Sequence, residues 1–137
     1  MRVCLDSSVL VSGFATRGLA ADVVRVTLAE HQLLVPEVVL SEVARALKRK
    51  VGLPAETVAA VEQLLRAQII VPRPAERAAL VGRDPDDAWV LASAVAGGAD
   101  VLVTGDADLL SVANAAPVPI LTPRAFWERL RAESGGS

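Results

Sequence analysis

Short apolar runs alternate along this chain with longer segments of helical periodicity, and no other feature restricts its fold as much. The runs are continuous stretches of mainly valine, leucine and isoleucine, a pattern typical of strands buried on both faces of a parallel sheet. The alternation predicts one three-layer α/β/α domain with a mostly parallel sheet of about five strands. The predicted strands are Val3–Leu5, Leu33–Val35, Ile69–Val71, Val101–Val103 and Pro119–Leu121.

Helical segments fill the intervals between these runs. Prolines stand where several of the helices should begin, as first-turn or preceding residues. The interval Pro72–Arg83 fits either a loop or an irregular helix. We expect the domain to span residues 1–132 and the last residues, 133–137, to form a disordered tail. The predicted helices are Leu19–Glu30, Glu37–Lys50, Ala55–Ala67, Pro85–Ala96, a short helix after Asp106, and Pro123–Arg131.

The composition is that of a single, unusually apolar domain. The chain has 137 residues, of which 53% are hydrophobic, and its mean hydropathy is +0.44. Such values suggest that a partner covers some apolar surface, and we expect a homodimer. No uncharged apolar stretch reaches the ~18 residues of a membrane span, and the amino terminus is unlike a signal peptide, so we expect a soluble cytoplasmic protein. Cys4 is the single cysteine, which excludes an internal disulfide and a cysteine zinc cluster.

The acidic residues are unevenly distributed. Six of the eight aspartates lie between Asp84 and Asp108, and a seventh, Asp6, ends the first apolar run. Clustered carboxylates repel one another and lose hydration, so a compact domain tolerates them mainly when a cation or a proton neutralises them. This distribution suggests a site for a hard metal ion.

Four acids from separate segments are predicted to meet at one edge of the sheet. In parallel sheets the functional crevice lies outside the carboxyl ends of the strands. Asp6 and Asp106 follow the first and fourth strands, and Asp87 lies in the first turn of a helix that should start near the same edge. Glu42 lies about one and a half turns into the helix after the second strand.

Each acid also has an ordinary structural explanation. Asp84 would serve as a helix cap and Asp86 as a solvated first-turn acid, because both are favoured at helix amino termini. Asp106 could cap its own short helix, and Glu42 alone would most often face solvent. Asp6 is the hardest to explain in this way, because a carboxylate at the end of a buried strand needs hydrogen-bond donors or a cation.

Four segments in order resemble the motifs of a known family. They are DSSVLVSGF, PEVVLSEVARAL, DPDDAWVLASAVAGGADVLVTGDADLL and PILTPRAFWERL, and together they span nearly the whole chain. This ordered set resembles the PIN-domain ribonucleases, most closely the PIN-type toxins of bacterial and archaeal toxin–antitoxin pairs.

The resemblance implies a set of site residues. Ser8 stands where many members carry asparagine and Ser7 where threonine is common. Asp86 competes with Asp87 for the third acidic position, and we prefer Asp87 because it directly precedes the run AWVLASA. The implied catalytic and metal-binding acids are Asp6, Glu42, Asp87 and Asp106, with Asp108 as an auxiliary metal ligand and Ser7, Ser8 and Thr104 in support.

The resemblance also implies a Mg²⁺- or Mn²⁺-dependent endoribonuclease that leaves a 5′-phosphate and a 3′-hydroxyl. Its implied partners are single-stranded or structured RNA and a small antitoxin protein. An all-oxygen ligand set suits these ions. Few aromatic residues are present, so we expect little base stacking and assign Trp89 to the core or an interface. The candidate RNA-binding residues are Arg17, Arg45, Lys48 and Arg49, although arginine and lysine side chains at the carboxyl end of a helix also complement the helix dipole.

Two other functions fit the sequence less well. A degenerate PIN-like module could bind RNA or a protein without catalysis, although the intact acidic set argues against decay. A phosphotransferase with Asp6 as nucleophile would be expected to carry a second aspartate two residues later, where this chain has Ser8. A phosphorelay receiver would need a lysine late in the chain, and the only lysines are Lys48 and Lys50.

Overall fold

A five-stranded parallel sheet forms the centre of the protein. The computed structural model describes residues 1–78 and 85–135. All four strand pairings are parallel, and the strand order is β3-β2-β1-β4-β5. The predicted fold class is confirmed, and each predicted strand is present within two residues of its predicted ends. The strands are β1 Arg2–Leu5, β2 Gln32–Pro36, β3 Ile69–Val71, β4 Val101–Val103 and β5 Ile120–Leu121.

Seven helices connect and cover these strands within the described residues. The predicted bounds of α2 and α5 are those observed, whereas α1 was not predicted as a helix. The predicted helix Glu37–Lys50 is α3 followed by a π-helical turn, Leu47–Val51, which ends at Gly52 in the left-handed conformation, with φ of 76°. The helices are α1 Ser7–Ala15, α2 Leu19–Glu30, α3 Glu37–Ala46, α4 Ala55–Arg66, α5 Pro85–Ala96, α6 Ala107–Ser111 and α7 Pro123–Gly135.

The two central strands are covered on both faces. Successive side chains of a strand point to opposite faces, yet Val3, Cys4 and Leu5 of β1 are all fully buried, as are all three residues of β4. Helices therefore pack against both sides of the sheet, which explains the continuous rather than alternating apolar runs. This double cover makes β1 and β4 the most constrained part of the framework.

The order of the strands creates a switch point beside β1. The chain moves outward from β1 to β2 and β3, and then returns to place β4 on the other side of β1. Leu5 and Val103, the last residues of β1 and β4, lie opposite each other in the register. A crevice at the carboxyl ends of the strands, where the order reverses, is the usual ligand site of such sheets. Asp6 and Thr104 are the first residues beyond these two ends.

Some predicted features fall partly outside the described residues. Residues 72–78 form neither helix nor strand, which favours a loop for that part of the interval Pro72–Arg83. Asp84, predicted as the cap of α5, lies outside the described residues. The helix α7 continues to Gly135, four residues beyond its predicted end and into the segment predicted as a tail. No helix among the described residues is long and apolar enough to cross a bilayer.

Candidate active site

The carboxylate of Asp6 lies at the junction of β1 and α1. Its backbone N–H donates to the carbonyl of Val103 at 2.9 Å, which extends the pairing of β1 with β4 by one bond. The side chain then caps α1, because Oδ1 accepts the N–H of Ser7 at 2.7 Å. Only 4% of Asp6 is exposed. The sheet and the helix start together fix the position of this carboxylate.

Thr104 connects Asp6 to Asp106. Its hydroxyl is fully buried and donates to Oδ2 of Asp6 at 2.7 Å. The same hydroxyl oxygen accepts the backbone N–H of Asp106 at 3.0 Å. Because the Asp106 N–H approaches the oxygen as a donor, the hydroxyl proton is free to point at Asp6. Thr104, predicted only as a supporting residue, is the link between the two strand ends.

Asp106 caps the short helix α6. Its Oδ1 accepts the backbone N–H groups of Asp108 and Leu109 at 2.7 and 3.3 Å. The capping explanation of Asp106 is therefore correct, but both capping bonds use one oxygen. The second oxygen is not needed by the helix, so capping and ion binding are compatible for this residue.

Asp87 joins Asp106 and Asp108 from the other side of the crevice. It lies in the first turn of α5 and is 7% exposed. One carboxylate oxygen from each of Asp87, Asp106 and Asp108 lies within 4.8 Å of the others. We call these three residues the aspartate triad. Carboxylates at this separation repel one another when ionised and a bound cation would remove that repulsion, so the triad is a candidate cation site.

Glu42 reaches the same site from α3 through Ser7. The Ser7 hydroxyl lies 3.2 Å from Oε2 of Glu42 and 3.5 Å from Oδ1 of Asp6, so it lies between the two carboxylates. The Ser7 hydroxyl therefore links Asp6 to Glu42. The Thr104 hydroxyl links Asp6 to the backbone N–H of Asp106, a member of the aspartate triad. Ser8, by contrast, is exposed and makes no side-chain hydrogen bond among the residues described.

A groove of about 740 Å³ leads away from Glu42 along α1 and the end of α3. It is lined by Ser8, Arg45, Arg49 and Asp86, so two of the predicted RNA-binding residues flank it, and Asp86 lies close to the site. The other two, Arg17 and Lys48, are exposed but do not line it.

Two further basic residues, Lys50 and Arg73, lie near the site, and of these only Lys50 belongs to the basic cluster that the sequence indicated. Lys50 lines the groove from the π-helical turn, and Arg73 lines a smaller adjoining pocket that also includes Glu42. The charge run at residues 48–50 was visible in the sequence, but the π-helical turn that decides which of its members faces the groove was not. No sequence signal marked Arg73.

Burial dominates the electrostatics of Asp6. Loss of hydration raises the pKa of its carboxyl above the ordinary value, and the charge of Asp106 raises it further. The hydrogen bonds from Thr104 and Ser7 lower the pKa but do not cancel the effect of burial. Burial also raises the pKa of the neighbouring Cys4 thiol. The ionised form of Asp6 is therefore costly in the folded protein without a cation.

Comparison with known proteins identifies the family. The model of the PIN domain matches residues 3–115. The chain belongs to the PIN domain family. This confirms the resemblance inferred from the four motifs, and the matched region contains all five of the acids assigned above. No curated protein sequence matches the chain.

Solved structures of low sequence identity share the PIN fold of this chain. VapBC2 from Rickettsia felis, bound to a promoter DNA fragment, is 15% identical over 88% of this chain and 97% of its own, with a TM-score of 0.61. VapC20 from Mycobacterium tuberculosis, a sarcin–ricin loop cleaving toxin, is 17% identical over 80% and 94%, with a TM-score of 0.59. PAE2754 from Pyrobaculum aerophilum is 21% identical over 96% of both chains, with a TM-score of 0.63.

The raised pKa of Asp6 predicts that Asp6→Asn stabilises the metal-free PIN domain at neutral pH. Ionised Asp6 costs stability above its folded-state pKa, and the cost disappears as pH falls below the ordinary value of 3.8. Asparagine keeps the helix cap, and its amide nitrogen at the position of Oδ2 can donate to the Thr104 hydroxyl oxygen, which reverses that hydrogen bond. Thermal melts in EDTA should therefore give a higher Tm for the variant than for wild type at pH 7, with the gap closing by about pH 4.

The control for this prediction is Glu76→Gln, which removes one charge from an exposed position. The Tm of this variant should differ little from that of wild type at both pH values. A lower Tm for Asp6→Asn at pH 7, with no dependence on pH, would show that the ionised carboxylate does not destabilise the fold.

Proposed function

We propose that this PIN domain is a Mg²⁺- or Mn²⁺-dependent endoribonuclease and the toxin of a toxin–antitoxin pair. The observation that carries the proposal is the convergence of the aspartate triad with Asp6 and Glu42 at the switch point of the sheet. PIN domains are generally nucleases, and the similarity to VapC20, a toxin that cleaves the sarcin–ricin loop, supports RNA as the substrate. Such a toxin would act in the cytoplasm.

The aspartate triad fits a small, hard cation. Its ligands are all carboxylate oxygens, as Mg²⁺ and Mn²⁺ prefer. The three oxygens lie within 4.8 Å of one another, so small side-chain rotations would bring them around one ion. Asp87, Asp106 and Asp108 would hold the ion, which would supply Lewis-acid polarisation of the phosphodiester and activation of water.

The protein's own residues would orient the reacting groups. Asp6 is held on both oxygens, by Ser7 and Thr104, so its position is fixed before substrate binds. Glu42 faces the same space and shares the Ser7 hydroxyl with Asp6, which suits it to accept a hydrogen bond from a water molecule in the crevice. Preorganised groups of this kind contribute to catalysis because they need no rearrangement during the reaction.

The groove along α1 and the end of α3, which we call the basic groove, offers a path for the RNA backbone to this acidic site. Arg45 and Arg49 line it together with Lys50, so positive charge approaches Glu42 along α3. Contacts of this kind neutralise phosphates and do not read the base sequence. We retain Arg45 and Arg49 as RNA-binding residues and assign Arg17 and Lys48 a weaker, long-range role, because neither lines the groove.

An antitoxin would inhibit this site by covering the groove. The acidic end of the groove could accept an arginine or lysine from the partner, whose charge would replace that of the metal ion. The mixed lining also suits a protein segment, because Val11 and Val51 lie beside the polar residues. We propose such a partner together with a homodimer.

The cleavage assay tests the central assignment. Wild-type protein should cleave single-stranded RNA in Mg²⁺ or Mn²⁺ and should stop in EDTA. Asp87→Asn should lower the rate of cleavage by at least about 100-fold, which is more than the usual loss when a residue that only supports a metal ligand is changed. Asp86→Asn, which removes the same charge at the next position, should be much milder, because Asp86 is outside the triad.

Each other outcome of this assay contradicts a specific part of the assignment. An inactive Asp86→Asn with an active Asp87→Asn would show that the register of the motif is wrong. A folded wild-type protein that binds RNA but never cleaves it would favour the non-catalytic PIN-like module.

Exposed apolar side chains generate a prediction about assembly. The described residues include four large exposed hydrophobic side chains, namely Val51, Leu64, Ile69 and Val95. Ile69 lies on β3, an edge strand of the sheet. Multi-angle light scattering at micromolar concentration should give the mass of a dimer. A monomer at this concentration would contradict the homodimer while leaving the nuclease assignment intact.

A further inference from the structure

Arg73 is held in a defined orientation beside the proposed active site. Its guanidinium carbon lies 4.8 Å from the centre of the Trp89 ring, within the range of a cation–π contact. Trp89 is on α5, the helix whose first turn carries Asp87. Arg73 also stands between two prolines, Pro72 and Pro74, whose fixed φ angles restrict the backbone of the segment after β3.

Arg73 contributes to a second, smaller pocket beside the basic groove. This pocket has a volume of about 410 Å³, and its charged lining residues are the acids Glu37, Glu42 and Asp86 and the arginines Arg45 and Arg73. Glu42, Arg45 and Asp86 line both spaces, so the pocket adjoins the groove at Glu42. A strand that follows the groove to Glu42 would reach Arg73 next.

The charge of Arg73 is available to a ligand. Among residues 1–78 and 85–135, no carboxylate forms a salt bridge with its guanidinium, and its backbone N–H makes only a long hydrogen bond of 3.4 Å to Glu37. The indole covers one face of the guanidinium and leaves the N–H groups at its edge. These groups match the oxygens of a phosphate, to which arginine donates in a bidentate manner.

We propose that Arg73, positioned by Trp89, binds a phosphate of the RNA strand adjacent to the phosphate at the aspartate triad. This inference rests on the proposed function, because it takes single-stranded RNA as the ligand. It gives Trp89 a positioning role in addition to the core packing predicted from the sequence, since Trp89 is partly buried against the core. It also extends the binding surface beyond the groove along α3 to the segment after β3.

The test measures RNA affinity separately from cleavage. Fluorescence anisotropy with a labelled single-stranded RNA, in Mg²⁺ and in an Asp87→Asn background, would be recorded over a series of salt concentrations. Adding Arg73→Gln should weaken binding by about tenfold, as expected for the loss of a charge-assisted bond. The slope of log K against log salt should fall by about 0.7, the value for one phosphate on a single strand.

Two matched variants define the specificity of the effect. Arg77→Gln removes the same charge from an exposed position in the same segment that lines neither space, and it should change affinity and slope little. Arg73→Lys keeps the charge but not the planar fork, so it should keep the salt slope and recover only part of the affinity. Thermal melts should show that Arg73→Gln remains folded, with only the small loss of stability expected for one exposed cation–π contact.

The outcomes separate this inference from the proposed function. Equal affinity and slope for Arg73→Gln and Arg77→Gln would overturn the inference, whether or not wild type cleaves RNA. A loss of stability in Arg73→Gln without a change in RNA binding would assign Arg73 a structural role and overturn it too. Arg73-dependent RNA binding by a wild-type protein that does not cleave would contradict the nuclease proposal alone. An absence of RNA binding would contradict both.

Discussion

The hydrogen bond from Thr104 to Asp6 is the contact on which the candidate site depends. It joins the carboxyl ends of β1 and β4, whose last residues are already paired in register. The same hydroxyl accepts the N–H of Asp106, and so it fixes the start of α6 and the position of the second acid. Asp6 in turn starts α1, and through Ser7 it is connected to Glu42 on α3. One network, buried at Asp6 and Thr104, therefore positions acids from separate segments, and the switch point of the sheet is where they can meet.

This network is built at a cost in stability. Burial and the nearby charge of Asp106 raise the pKa of Asp6, and the aspartate triad adds repulsion among carboxylates a few ångströms apart. The surrounding strands, buried on both faces, provide apolar packing that can carry such a cost. A cation that binds the folded state would offset part of this cost in stability, because ligand binding shifts the folding equilibrium by mass action. A carboxyl with a perturbed pKa, such as that of Asp6, in a crevice at the switch point of a sheet is typical of a functional rather than a structural site.

Much of the fold and the position of the acids could be predicted from the sequence. Continuous apolar runs gave the strands, and helical periodicity gave α2 and α5, because burial pattern and secondary structure agree there. The helix α1 was missed because the serines and glycine of its sequence have low helix propensity, and its start depends on capping by Asp6. The bridging contacts of Ser7 and Thr104 and the contact of Arg73 with Trp89 depend on tertiary packing between distant segments. No local pattern encodes such contacts, so the sequence indicated which acids meet but not what connects them.

Titration calorimetry with Mn²⁺ on wild type and Asp106→Asn tests the central claim most directly. Asparagine is as good a helix cap as aspartate, so this change preserves the start of α6 while it removes one charge of the triad. We predict saturable Mn²⁺ binding to wild type, at least about tenfold weaker binding to Asp106→Asn, and unchanged binding to a surface control, Asp22→Asn. Equal Mn²⁺ affinity for wild type and Asp106→Asn, with both proteins folded, would contradict a metal site at the aspartate triad.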